Sequence, residues 1–155
     1  VKRKINYMDA RFSTRIDGHS RRVRVWLCAR CTAWHDAPNR PTGCAQCAHT
    51  EFIYCASRKE AKRAVQLLFE ERHGVISGLE FQKTFPIFVV DIKTRRIVNP
   101  KVSYRPDSTY HRDGELVVED VKGTSAEGDD PVFTLKRKLF EACYGTPVTV
   151  VRKVT

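Results

Sequence analysis

The apolar positions of the second half of the chain change period several times, and each change marks an element. After Ser57-Arg58-Lys59-Glu60, the residues Ala61, Ala64, Val65 and Leu68 recur at helical spacing until Gly74, which predicts an α-helix with one apolar face. Ser57 and Glu60 have the spacing of a capping box, in which hydroxyl and carboxylate satisfy amides that the first helical turn leaves unpaired. Three strand-like stretches follow, Leu79 to Ile92, Lys101 to His111 and Glu115 to Lys122. Thr94-Arg95-Arg96 and Asp113-Gly114 supply the turns, the second being a strong two-residue hairpin signal. A polar loop, Gly123 to Asp130, leads to Pro131, which suits a first helical position. A helix to about Tyr144 is expected, with Leu135, Leu139, Phe140 and Cys143 on its apolar side, and Pro147 to Val154 forms a last short strand. The order is αβββαβ, an α/β fold.

The first half is organised by cysteine. Four of the six cysteines fall as Cys28-x2-Cys31 and Cys44-x2-Cys47, twelve residues apart. Each pair can wrap a tight turn so that both thiolates face one ion, and two such turns complete a tetrahedral shell suited to Zn²⁺. Four protein ligands leave no open position, so such a zinc is structural. Iron is the competing metal, and a disulfide framework the competing chemistry. Thr32 and Ala48 stand where many ribbon knuckles carry glycine. His35 and His49 lie close enough in sequence to serve as substitute ligands, while Cys55 and Cys143 read as buried small apolar residues. Trp26, Trp34, Phe52 and Tyr54 either cover the ribbon's small core or stack on bases.

Charge adds a partner. The 155 residues carry 28 Lys and Arg against 18 Asp and Glu, a net +10, which favours a polyanion, most often nucleic acid. The excess is concentrated in residues 1–24, where Arg21, Arg22 and Arg24 belong to a basic arm that either contacts phosphates or is simply solvated. Lys136, Arg137 and Lys138 begin a second basic stripe on the later helix, with Lys136 and Lys138 as candidate phosphate contacts. No apolar run approaches a membrane span, and no secretory signal is visible at the basic start.

One constellation carries chemistry. Pro106-Asp107 ends one expected strand and Asp120-Val121-Lys122 lies in the next, with twelve residues between the aspartates. Alternation along a strand puts Asp120 and Lys122 on one face with Leu116 and Val118, and Val117 and Val121 on the other. A strand apolar on both faces is internal, and an acid with a lysine there is costly to bury without a task. Two carboxylates that hold Mg²⁺ against a phosphodiester, with a lysine to activate water, form one such task. A turn aspartate beside an ordinary ion pair is the plain alternative.

Residues 57–153 resemble the phage and prophage nuclease-like family of the PD-(D/E)xK superfamily, which has a restriction-endonuclease-like core. The resemblance rests on Ser57-Arg58-Lys59-Glu60-Ala61, Gly74-Val75-Ile76-Ser77-Gly78-Leu79-Glu80-Phe81-Gln82 and Tyr104-Arg105-Pro106-Asp107. Val117-Val118-Glu119-Asp120-Val121-Lys122-Gly123 and Lys136-Arg137-Lys138-Leu139-Phe140 complete it. It implies that Asp107, Asp120 and the carbonyl of Val121 ligate Mg²⁺ (or Mn²⁺), that Lys122 activates the water, and that Glu60 is a further acidic member, although the capping box explains Glu60 equally well. Glu119 points to the opposite face, and Gln82 matches a family position without a derived role. Members often carry an aromatic directly after the first aspartate, where this chain has Ser108. The expectation is therefore a basic arm over 1–24, a zinc ribbon over 25–54 and an αβββαβ nuclease-like core over 55–155. The implied protein is a DNA endonuclease, with branched DNA such as a Holliday junction as the first expected substrate, acting as a homodimer in the cytoplasm of a bacterium or phage-infected host. A non-catalytic zinc-ribbon protein that binds nucleic acid is the alternative.

Overall fold

Three short strands open the computed structural model, which describes residues 24–123 and 130–154. These are β1 (Val25–Cys28), β2 (Trp34–Asp36) and β3 (Phe52–Cys55), an antiparallel sheet in the order β2-β1-β3. Val25, Leu27 and Cys55 alternate inward and are buried, while Trp26 meets Tyr54 across the ladder with ring centroids 5.2 Å apart. The helix α1 (Arg58–Arg72) starts where the capping box predicts. The Glu60 N–H donates to the Ser57 hydroxyl at 3.1 Å, and the Glu60 carboxylate accepts the Ala56 N–H at 2.7 Å and the Ser57 hydroxyl at 3.1 Å. The residues it buries are Ala61, Ala64 and Leu67. The chain forms two compact units, the first ending at Val65 and the second beginning at Gln66, so α1 contributes to both.

The second unit contains β4 (Ser77–Phe81), β5 (Phe85–Pro86), β6 (Val89–Val90), β7 (Ile97–Val98), β8 (Ser103–Tyr104), β9 (Ser108–Arg112), β10 (Glu115–Val121), α2 (Pro131–Tyr144) and β11 (Val148–Val151). Its main sheet has the order β11-β10-β9-β4. β4, β9 and β10 are antiparallel neighbours, whereas β11 runs parallel to β10. Parallel neighbours need a crossover, which α2 supplies. Asp113 and Gly114 both have positive φ, 54° and 83°, and join Arg112 to its partner Glu115, as a two-residue hairpin turn requires.

The two longer strands expected over 79–92 and 101–111 are each broken. Phe81 pairs with Ser108, Phe85 with Tyr104, Pro86 with Ser103, Val89 with Val98 and Val90 with Ile97. The chain thus forms one bent hairpin, interrupted where Gln82 takes a left-handed φ of 54° and where Pro106 can donate no ladder hydrogen bond. Asp107 consequently lies just before β9 and does not end a strand.

The α2 boundaries match the expectation. Asp130 caps the helix by accepting the Val132 N–H, Pro131 occupies the first turn, and Gly145 ends it at φ 65°. Its inner face matches in part: Phe140 is fully buried and Leu139 packs on the same cluster, whereas Leu135 is 60% exposed and Cys143 is exposed. Phe133 turns inward in their place, and Phe140 meets Tyr104 and Phe85 and stacks on Tyr144, which stays 40% exposed. Val118 and Val148 of the sheet pack into this cluster. In a second cluster, Leu67 of α1 and Ile76 pack against Leu79, Phe81, Tyr110 and Val117, alternate residues of the strands. β10 is therefore apolar on both faces and internal, as its sequence requires.

Candidate functional site

In the first unit, Cys28, Cys31, Cys44 and Cys47 bring their Sγ atoms within 4.8 Å of one another, the closest pairs being Cys31–Cys44 at 3.5 Å and Cys28–Cys47 at 3.6 Å. Tetrahedral Zn–S bonds of about 2.3 Å place sulfur atoms roughly 3.8 Å apart, so the donor set fits one zinc ion and leaves no open position. The two turns repeat one hydrogen-bond pattern. Thr32 N–H donates to the Cys28 carbonyl and Cys28 N–H to that of Ala33; Ala48 N–H donates to the Cys44 carbonyl and Cys44 N–H to that of His49. Thr32 and Ala48 both take φ 58°, so the chain adopts the left-handed knuckle without glycine, against a steric cost of about 1–2 kcal/mol at each position.

The thiols are not equivalent. Burial pushes Cys31 up to about 12. Burial also opposes ionisation of Cys44, but N–H groups of Gln46 and Cys47 and a hydrogen bond from His35 outweigh it and bring Cys44 down to about 6. Such donors stabilise thiolate, the form a metal takes. His35 is thus a neighbour of the cluster rather than a substitute ligand, and His49 is paired with Glu51 at 3.5 Å. Cys55 is buried as expected; Cys143 is exposed and its thiol donates to the Phe88 carbonyl. The four-cysteine group accounts for every cluster of three or more potential metal ligands among the described residues.

The second unit holds the carboxylate constellation. Asp120 is only 3% exposed. Lys122 Nζ lies 2.6 Å from its Oδ1, and the Tyr104 hydroxyl donates to its Oδ2 at 2.6 Å. Lys122 follows β10, where its N–H donates to the Val151 carbonyl, and its ammonium sits 4.2 Å from the centroid of the Phe133 ring. The Asp107 Oδ2 accepts the Val121 N–H at 2.7 Å, while the Asp107 carbonyl accepts that of Gln82. Asp107, Asp120, Val121 and Lys122 are thus drawn to the ends of β9 and β10, with the Tyr104 phenol among them. Burial, then the Asp120 hydrogen bond and the charges of Asp120 and Asp107, hold that phenol protonated well above its ordinary range, with Arg137 acting in the opposite direction.

Other expected positions fall elsewhere. Both Glu60 oxygens are engaged in the α1 cap. Glu119 points away from Asp120, is 1% exposed and accepts from the Tyr110 hydroxyl at 2.8 Å. Arg24 Nη1 donates to the Pro38 carbonyl, while Arg21 and Arg22 lie outside the described residues. Lys136 and Lys138 are exposed on α2, whereas Arg137 turns in beside Phe133, 5.9 Å from its ring centroid.

Tyr104 and Phe133 were not expected as site residues, and Arg137 was expected only as part of the basic stripe. The signal at Tyr104 was its place three residues before Asp107, in the same short motif. Tyr104→Phe should lower stability by about 2 kcal/mol, since it removes a buried hydrogen bond to a charged group, as urea unfolding would show. The sign with pH follows from the raised phenol. Its contribution is complete below pH 10.0, the ordinary value, and is lost as pH rises past it, because the unfolded chain ionises and the folded one does not. The gap between wild type and Tyr104→Phe should therefore narrow above that pH; a constant gap would contradict the assignment.

Among the described residues no helix is long and apolar enough to cross a membrane. No curated protein and no solved structure matches the chain. A family model does match, over residues 45–153, a span that holds Asp107, Asp120 and Lys122 but of the four clustered cysteines only Cys47. The chain belongs to the family described as "Protein of unknown function (DUF1064)".

Proposed function

We propose that this protein is a Mg²⁺-dependent DNA endonuclease, with branched DNA the first substrate to try. The observation that carries the reading is Asp120, a carboxylate 3% exposed with Lys122 and Tyr104 each at 2.6 Å and the Asp107 carboxylate tied to the next residue of its strand. Counting only the strands of the four-stranded sheet, the order is αβββαβ with a last strand parallel to the one bearing Asp120, which supports a restriction-endonuclease-like core. Two carboxylates are what Mg²⁺ ordinarily takes from protein when substrate phosphate and water supply the rest.

Asp107 and Asp120 would hold the ion, with the Val121 carbonyl alongside. Bound there, Mg²⁺ would neutralise charge at the phosphate and acidify a water. Lys122, held beside Asp120 and packed on Phe133, would position that water, and would accept its proton only as the neutral amine, after giving up its own ammonium proton to solvent. Glu60 keeps the role of a helix cap. The four-cysteine ribbon, holding zinc, shapes engagement of the substrate rather than its chemistry. Two cuts in a junction need two such sites, hence a homodimer.

A second reading, a zinc-ribbon protein that binds nucleic acid without catalysis, is favoured by one observation: both Asp120 oxygens already have partners within the chain. A labelled four-way junction and a linear duplex, incubated with Mg²⁺ or EDTA, separate the two. Wild type should nick the junction symmetrically with Mg²⁺ alone, and Asp120→Ala should lower cleavage at least about 100-fold while binding survives. Equal cleavage of both substrates would discard the junction preference. Binding without cleavage in Mg²⁺ and in Mn²⁺ would leave the second reading.

A further inference from the structure

We infer that the β6–β7 ribbon is a second nucleic-acid contact, an arm that enters a duplex groove with its basic turn on phosphates and Ile92 and Ile97 against base edges. The inference rests on the nucleic-acid part of the function proposed above. It begins from a change of environment along one hairpin. At its base, Ile87 is fully buried, its N–H donates to the Val102 carbonyl, and Tyr104 lies in the same cluster under α2. Beyond Phe88 the apolar character continues but the cover stops. Val89, Val90 and Val98 are exposed, and Ile92 and Ile97 are 81% and 75% exposed. Five exposed β-branched side chains on one two-stranded ribbon exceed the scattered apolar exposure of an ordinary surface, and an uncovered ribbon of this kind is an aggregation hazard unless a partner takes it.

Charge decides which partner. From 92 to 101 every ionisable side chain is basic, namely Lys93, Arg95, Arg96 and Lys101, and all four are exposed. Asp91 is consumed by the turn. Its Oδ1 accepts the N–H groups of Lys93 and Thr94 at 2.8 and 3.0 Å, its N–H donates to the Arg96 carbonyl, and its carbonyl accepts the Arg95 N–H. The cationic turn is therefore preorganised, and less ordering is required when it meets phosphates. A second copy of a chain with net +10 would bring like charges together at this turn, which disfavours self-association through it. Major grooves about 12 Å wide admit a two-stranded β-ribbon, and apolar side chains there contact thymine methyl groups.

The test uses the full chain in EDTA, so that binding is read apart from cleavage, with a mixed-sequence duplex and fluorescence anisotropy between about 50 and 200 mM salt. The variants are Arg95→Ala/Arg96→Ala and Ile92→Ser/Ile97→Ser, with Lys62→Ala/Lys153→Ala removing equal charge from other elements. Circular dichroism melts confirm that each is folded. Loss of the arginine pair should weaken binding roughly tenfold and reduce the magnitude of the log–log salt slope by about 2, near 0.9 for each phosphate no longer neutralised. Loss of the isoleucine pair should weaken binding roughly fivefold with the slope unchanged, because apolar packing on base edges releases no counterions. The control pair should do neither.

Duplex binding equal to wild type in both ribbon variants would overturn the inference, as would a wild type that binds no duplex. Loss of binding to anionic phosphatidylserine vesicles with duplex binding intact would assign the ribbon to a membrane surface instead. Loss of a wild-type dimer with duplex binding intact would assign it to self-association. Failure of the nuclease reading is distinct, since it appears as absent cleavage while ribbon-dependent binding persists.

Discussion

Stripping metal from the four-cysteine site is expected to unfold β1–β3 while the sheet of the second unit persists. The apolar residues buried in that three-stranded sheet, beside its cysteines, are Val25 and Leu27, far too little surface to offset the conformational entropy of ordering 30 residues, about 1–2 kcal/mol each. Four thiolates around one zinc would contribute instead, structural sites having apparent binding free energies of about 10–16 kcal/mol near neutral pH. Because the shell needs all four thiolates and both knuckles share one backbone hydrogen-bond pattern, Cys44→Ser should be as damaging as Cys28→Ser. The measurement is one zinc per chain by elemental analysis, followed by chelation with the circular dichroism and thiol reactivity of the four cysteines recorded. Their concerted exposure with loss of ribbon signal is the expected result. A ribbon that stays folded with metal removed would show that its packing suffices, and a disulfide between the pairs would show that the cluster is a redox framework.

Changes at Lys122 should separate its part in the fold from the chemical part that the proposed nuclease function gives it. Lys122→Met removes the ammonium 2.6 Å from Asp120 Oδ1 and 4.2 Å from the Phe133 ring centroid. Asp120, almost fully buried, then retains the Tyr104 hydroxyl among these two partners, and stability should fall by about 1.5–3 kcal/mol, the scale of a hydrogen bond to a charged group. Cleavage should fall by roughly 10²–10⁴. Lys122→Arg restores a cation beside Asp120 and should recover most of the stability. It should not recover cleavage, since a guanidinium does not release its proton in a protein. Duplex binding should persist in both variants. Urea unfolding and single-turnover cleavage on the same preparations read the two effects. Arginine at full wild-type rate would remove proton transfer from the role of Lys122, and a methionine variant of unchanged stability would show the ion pair to be incidental.

Much of this protein was legible from local rules because each rule acts within a few residues. The Ser57/Glu60 box starts α1, Asp113-Gly114 turns β9 into β10, Pro131 opens α2, and two Cys-x2-Cys turns converge on one point. Period-two alternation likewise placed Asp120 with Lys122 and Glu119 opposite, before any partner was known. Thr32 and Ala48, which depart from the usual glycine, took the left-handed conformation because the surrounding hydrogen bonds require it.

What depended on distant chain was decided only by the tertiary structure. The partners within the bent hairpin that replaces two expected strands lie up to 34 positions apart, as Ser77 and His111 do; Gln82-Lys83-Thr84 and Pro106 mark where the strands break but not which residues they pair with. Helical spacing placed Leu139 and Phe140 on the inner face of α2, as found, but it allows more than one stripe, and the packing around Tyr104 and Phe85 took in Phe133 rather than Leu135 and Cys143. Tyr104 reaches Asp120 across 16 positions, so no local pattern could name it as a partner. By itself the sequence determined the residue types, the turns and the strand faces, which depend on covalent geometry and short-range hydrogen bonds; only tertiary packing decided which buried carboxylate each distant hydroxyl would satisfy and which apolar ribbon would be left uncovered.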